Sequence, residues 1–327
     1  MEKLDLLSPS QTEKKHKSPS KPQLPSLGIL QILQKSLEII GSNITVGASI
    51  LLPVFIFSFI LSYGADLALL PVLKDLVVKA ALLDQVPNEA RYRWFLEDLR
   101  KLLAIRLVHG LFSFAIWVWF SVTAISFTSG TLNGKSLHTS DLFLGAAGRW
   151  KKPVITSFYM TLLSLSLTLL FLLSIGLALI LTRGAILFAL LCAIFVSIVL
   201  SYLYWAAVWI LSLVCSVLED GSCGLRAIER AKELMTGKRV KGCALKLIFG
   251  LLGGIISVIS SFLTVMTKGN MTVLTSVSIP TIFLVCLVNF FMFVGYTVFY
   301  HECRKSCEED NFKGELGLYD YDPVASA

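Results

Sequence analysis

The chain has 327 residues, of which 55% are hydrophobic and 16% charged, with a mean hydropathy of +0.74. Soluble domains carry roughly 25% charged residues, so this composition excludes a water-soluble globular protein; the apolar residues also gather in blocks near the roughly 20 residues that cross a hydrocarbon layer of about 30 Å. The formal net charge of +7 is spread in short basic stretches beside those blocks, which marks membrane-surface and topology charge and excludes a nucleic-acid-binding patch.

From the N-terminus, Ser8-Pro9-Ser10, the run Lys14 to Ser20, Pro22 and Pro25 make residues 1–25 polar, basic and proline-rich, and a disordered cytosolic tail is expected there. No apolar core with a small-residue cleavage site follows, so the first span is expected to act as an uncleaved signal anchor. A membrane domain is expected over 26–301, with spans near 44–70, 103–129, 154–181, 184–217, 244–266 and 273–300, and a cytosolic C-terminal tail over 302–327. Only Thr182-Arg183-Gly184 separates spans three and four, and only Lys268-Gly269-Asn270 separates spans five and six, which makes both pairs antiparallel hairpins.

Outside the spans, 19 Lys and Arg fall on the side of the two termini and 8 on the other, which predicts that both termini are cytosolic. Asn43-Ile44-Thr45 and Asn270-Met271-Thr272 match the glycosylation pattern but read as unmodified turns, the first on the predicted cytosolic side and the second close to the bilayer. The seven cysteines contain no C-x-x-C pair and form no disulfide framework.

Three short stretches with basic residues each lead directly into a two-span hairpin: 27–41, 140–152 and 223–241. In the third, Leu225, Ile228, Ala231 and Leu234-Met235 recur at helical spacing while Arg226, Glu229, Arg230, Lys232 and Glu233 fill the rest, a pattern suited to a helix lying in the membrane interface. Trp150 beside Arg149, Lys151 and Lys152 supplies headgroup-level anchors in the second. The layout reads either as a triplicated unit or as compositional likeness among ordinary pre-span helices. Residues 71–102 form a fourth amphipathic region, on the opposite side, with Leu73, Leu76-Val77, Ala80 and Leu83 in helical register until Pro87-Asn88 breaks it. The fold class is therefore all-α: a polytopic membrane protein of six transmembrane helices with amphipathic helices on the cytosolic face.

The run Val217-Leu218-Glu219-Asp220-Gly221, followed by Gly224-Leu225-Arg226-Ala227-Ile228-Glu229-Arg230-Ala231-Lys232-Glu233-Leu234-Met235-Thr236-Gly237-Lys238-Arg239, carries a resemblance. It is similar to a stretch of the membrane domain that accompanies some bacterial glycerophosphodiester phosphodiesterases, and of related plant six-span proteins of uncharacterised function. Ala231 departs from that pattern, where a serine is expected, and so does Val240, where an aromatic is expected. The resemblance implies a polytopic domain. It carries no phosphodiesterase activity over, because no catalytic domain accompanies it here.

No phosphate-binding loop, dinucleotide fingerprint, H-E-x-x-H or nucleophile elbow occurs in the chain, so no catalytic residue, cofactor or metal site is assigned. Charges in spans are expensive and usually face a bundle interior or an aqueous cavity. Asp66, Arg106 and His109, with Asn289 in span six, are accordingly the candidate intramembrane polar cluster, against a reading as interfacial anchors and an interhelical hydrogen bond. Gly250 and Gly254 form a small-residue pair for close helix packing, within the chain or between copies, and Pro53 and Pro280 are expected to kink spans one and six. Cys303 and Cys307 are candidate lipidation sites beside the last span. Glu2 to Leu7 resembles an acidic dileucine sorting signal and Tyr321 to Val324 a tyrosine-based one.

The expected function is non-enzymatic, organising or assisting other membrane components. The alternative is a small-molecule or lipid transporter. Partners are the lipid bilayer and other membrane proteins or a second copy, with no nucleic acid, in the endomembrane system or the plasma membrane.

Overall fold

A computed structural model of the chain describes residues 28–81, 88–134, 139–181, 185–266 and 271–319. The N-terminal tail, the two short hairpin turns, Leu83, Pro87 and both sorting-like motifs lie outside the described residues.

Among the described residues nine helices follow one another: α1 (Ile29–Ser42), α2 (Ile44–Ala81), α3 (Asn88–Leu132), α4 (Thr139–Arg149), α5 (Lys151–Leu181), α6 (Ala185–Leu218), α7 (Leu225–Leu234), α8 (Arg239–Met266) and α9 (Met271–Tyr319). Six contain stretches long and apolar enough to cross a membrane: Ile44–Lys79, Arg93–Leu132, Lys151–Leu177, Cys192–Leu218, Arg239–Met266 and Thr275–Glu308. The protein is an all-helical, six-span membrane protein.

The order short, long, long occurs three times, as α1-α2-α3, α4-α5-α6 and α7-α8-α9, and α4 follows α3 at the same interval as α7 follows α6. Each short helix buries a stripe at spacings of three and four: Ile32, Ser36 and Ile39 on α1, Leu142 and Ala146 on α4, Ala227, Ala231 and Leu234 on α7. The α7 face differs from the expected one in one residue, since Leu225 is exposed and Ala227 takes its place inside.

The second long helix of each unit lies at the centre. The helices α3, α6 and α9 all touch one another, while α2, α5 and α8 flank them and α1 packs chiefly on α9. Bulky rings fill the centre: Phe127 and Phe120 of α3 meet Phe290 and Phe293 of α9 with centroids 5.9 and 5.8 Å apart. The buried hydroxyls turn back on their own helices, Ser121 donating to the Val118 carbonyl at 2.7 Å, Thr128 to Ala124 at 2.8 Å and Thr297 to Phe293 at 2.7 Å. These hydroxyls are thereby satisfied within their own helices.

Among the described residues, burial is concentrated in the half of the bundle that carries the short helices, apart from Leu69 of α2 and Asp98 of α3. Buried positions run over 118–128 on α3, 206–217 on α6, 286–303 on α9 and 242–249 on α8. No described residue of α5 beyond Met160, of α6 before Ala206, of α8 beyond Phe249 or of α9 before Cys286 is buried. At that far end α2 and α3 run past their most apolar stretches, so the described parts of the expected amphipathic region 71–102 are continuous with spans one and two, α2 ending at Ala81 and α3 beginning at Asn88. Lys79 holds this extension together, with Nζ 2.8 Å from Asp75 and 2.9 Å from the buried Asp98.

The segment expected as a tail from 302 is helical as far as Tyr319, and its first turn is packed: Cys303 is buried, and Lys238 Nζ reaches Glu302 Oε1 at 3.3 Å and donates to Ser306 Oγ at 2.7 Å.

Candidate functional site

Two adjoining cavities lie between α2, α3 and α9. The larger, about 290 Å³, is lined by Ser58 and Ser62 of α2, His109 and Ser113 of α3, and Thr281 and Asn289 of α9, among apolar neighbours such as Val54 and Trp117. The smaller, about 20 Å³, shares Ser62 and Ile282 with it and carries Asp66. Helical spacing places these groups: Ser58 and Ser62, like His109 and Ser113, are four apart and so share a face.

The structure thus brings His109 and Asn289 of the expected cluster to one cavity and Asp66 to its neighbour. Arg106 joins neither and is exposed on the flank of α3. An imidazole, a carboxamide and several hydroxyls among apolar walls form a polar lining able to hydrogen-bond a small polar or amphiphilic molecule.

The segment that carries the family resemblance forms a joint between units. Glu219, just past α6, accepts a hydrogen bond from Tyr300 Oη of α9 at 2.8 Å and from Ser222 Oγ at 3.2 Å, and its second oxygen lies 3.5 Å from Arg230 Nε of α7. Arg230 also bonds Glu233 at 3.1 Å, which raises the guanidinium pKa further and keeps it charged. Gly221 and Gly224 take φ of 98° and 58°, values that side chains resist. At Gly224 a Cβ would also come within 3.2 Å of the Tyr159 ring, and its amide donates to Thr156 Oγ1 of α5 at 3.0 Å. The motif residues therefore tie α7 to α5, α6 and α9. Its two departures also have physical readings: Ala231 is fully buried, while Val240 is exposed and touches little.

Among the described residues a Cβ at Gly250 or Gly254 would meet no atom within 4 Å beyond its own helix, which leaves packing against another copy for this pair; the inward side of α8 runs through Gly242, Leu245 and Phe249. Cys303 is buried against the core and unavailable to an acyl chain, whereas Cys307, one turn on, is partly exposed.

Sequence reading passed over Lys246, the single charged residue in span 244–266. A lone charge inside an apolar block was the available signal. It is partly buried, and its Nζ lies 3.7 Å from Met292 Sδ. Among the described residues no carboxylate lies within ion-pair distance of it.

A family model described as "Domain of unknown function (DUF8558)" matches residues 19–320. No curated protein and no solved structure matches the chain.

Proposed function

The chain belongs to this family of unknown function, and we propose that it is a non-enzymatic multi-pass membrane protein that organises or assists other membrane proteins. The observation that carries the reading is the one-sided burial: the spans are packed at the short-helix end and largely uncovered at the other. In lipid, uncovered leucines are not penalised as they are in water, so partial packing is stable there. It leaves the far flanks of α5 and α8, with Leu169, Leu172, Val258 and Phe262 all exposed, free to receive the transmembrane segment of another protein.

Positive-inside bias supports placing the short-helix end and both termini in the cytosol. There α1, α4 and α7 act as amphipathic helices at the membrane surface, their outward residues, among them Lys35, Arg149, Arg226 and Lys232, meeting anionic headgroups. The membrane is an endomembrane or the plasma membrane. Affinity purification in a mild detergent followed by mass spectrometry tests the reading: it predicts a stoichiometric membrane-protein companion, and a clean homomer carrying one bound solute would oppose it.

The cavity between α2, α3 and α9 favours a second reading, transport of a small polar or amphiphilic molecule past His109 and Asn289. That reading predicts that His109→Ala and Asp66→Asn abolish a flux while expression is unchanged; normal flux in both would dismiss it.

A further inference from the structure

A third cavity lies between α5, α6 and α8 where the packed part of the bundle gives way to the uncovered part, with Trp117 of α3 at its wall. It measures about 420 Å³ and is lined by Ser157, Ser164, Thr168, Tyr202, Trp209 and Lys246, among others. Two of these groups are orphans. Ser157 is 1% exposed and Trp209 6%, and neither Ser157 Oγ nor Trp209 Nε1 has a hydrogen-bond partner within the protein. Buried donors are nearly always satisfied, so each orphan calls for a partner.

Lys246 adds a third donor, partly buried, whose amine meets only a weak acceptor, Met292 Sδ at 3.7 Å. It sits about 10 Å along the axis from the exposed Arg239, at roughly 1.5 Å per residue, within the expected span 244–266. A lysine at that depth ordinarily curls its amine back to the interface. Here the amine stays level with its own backbone. The helices α8 and α9 run antiparallel, Tyr296 Oη bonding the Gly242 carbonyl at 2.9 Å and Phe249 meeting Phe291 at 5.8 Å, so Met292, the group that Lys246 Nζ touches, lies at the height of Lys246. An ammonium held in a span without a carboxylate partner is an uncompensated charge.

Lys246, Trp209 and Ser157 thus stand in the wall of one cavity, an amine, an indole N–H and a hydroxyl with no negatively charged acceptor among the described residues. The cavity borders the uncovered flank of α5, where Leu165 and Leu169 are more than half exposed. A ligand arriving from the bilayer can therefore leave its apolar part along that flank while its headgroup enters. We propose that this cavity binds the oxyanion headgroup of a membrane amphiphile, a carboxylate or a phosphate, against Lys246, Ser157 and Trp209. The polar groups invoked, Lys246, Ser157 and Trp209, line neither of the cavities between α2, α3 and α9, although Trp117 borders both this cavity and the larger of those and the apolar flank of α5 is the one offered above to a client protein.

The test uses the full chain in phosphatidylcholine nanodiscs, doped in turn with brominated oleate, brominated phosphatidate or brominated phosphatidylcholine, with tryptophan quenching as the readout. The expected result is half-maximal quenching at about tenfold lower mole fraction for at least one anionic probe than for the neutral one, the size of one charge-assisted contact. Lys246→Met should remove that preference and Lys246→Arg retain it, with Trp209→Phe lowering the quenching amplitude in the parent. Lys246→Gln serves where the methionine variant is not monodisperse. A preference that survives both Lys246→Met and Lys246→Gln overturns the assignment, as does equal quenching by all three probes. Displacement of the anionic probe by inorganic phosphate alone would make the ligand a soluble anion and overturn the amphiphile.

Discussion

Tyr300 of α9 donates its phenolic hydrogen to Glu219, just past the end of α6, across 2.8 Å and 81 residues of sequence. The same carboxylate faces Arg230 of α7, so one acidic side chain joins the second and third units at the packed end of the bundle. The segment from Glu219 to Arg230 thus acts as a structural joint, with Gly221 and Gly224 at the turns and Glu219 at the crossing point.

Removing the phenol tests that joint. Tyr300→Phe leaves one Glu219 oxygen short of a donor in a partly buried site and should destabilise the fold by about 1–3 kcal/mol. Thermal unfolding in detergent should fall by several degrees, with Glu219→Ala falling further; an unchanged midpoint in both would show that the contact carries no weight.

Two glycines should behave in opposite ways. Gly224→Ala forces a side chain into φ of 58° against the Tyr159 ring and should cost about 1–3 kcal/mol. Gly250→Ala and Gly254→Ala meet nothing and should stay within about 0.5 kcal/mol of the parent. A large loss at Gly250 or Gly254 would reveal a second copy packed on α8.

Thiol accessibility separates the cysteines. Cys223 is exposed in the link before α7 and should react with a membrane-impermeant maleimide only after the cell is permeabilised, which is the proposed cytosolic side. Cys303 should resist until the protein is denatured. Any thioester-linked acyl group should disappear in Cys307→Ser and persist in Cys303→Ser.

Much of the architecture was legible in the residues because it rests on local rules. Apolar block length fixed the six spans, Asn88 at the break began α3, and a three-to-four spacing picked out α7 apart from Leu225. What the residues did not reveal was which half of each span is packed. Leu169 and Leu211 look alike in sequence; only neighbouring helices make one exposed and the other buried. For the same reason Gly250 and Gly254 suggested a packed face that no helix of the chain covers. The continuation of α9 beyond 301 depends on Lys238, more than 60 residues earlier, bonding Glu302 and Ser306. Of the expected polar cluster, His109 and Asn289 share a cavity because α3 and α9 touch, a contact that no spacing in the sequence specifies.

The central claim is that the uncovered half of the bundle receives another membrane protein. It is tested most directly by a photo-crosslinking amino acid placed at Leu172 of α5 and at Val258 of α8, with Val240 at the packed end as the comparison, in the native membrane. The account predicts that Leu172 or Val258 captures one protein of defined mass while Val240 does not. Lipid adducts alone at both positions would contradict it.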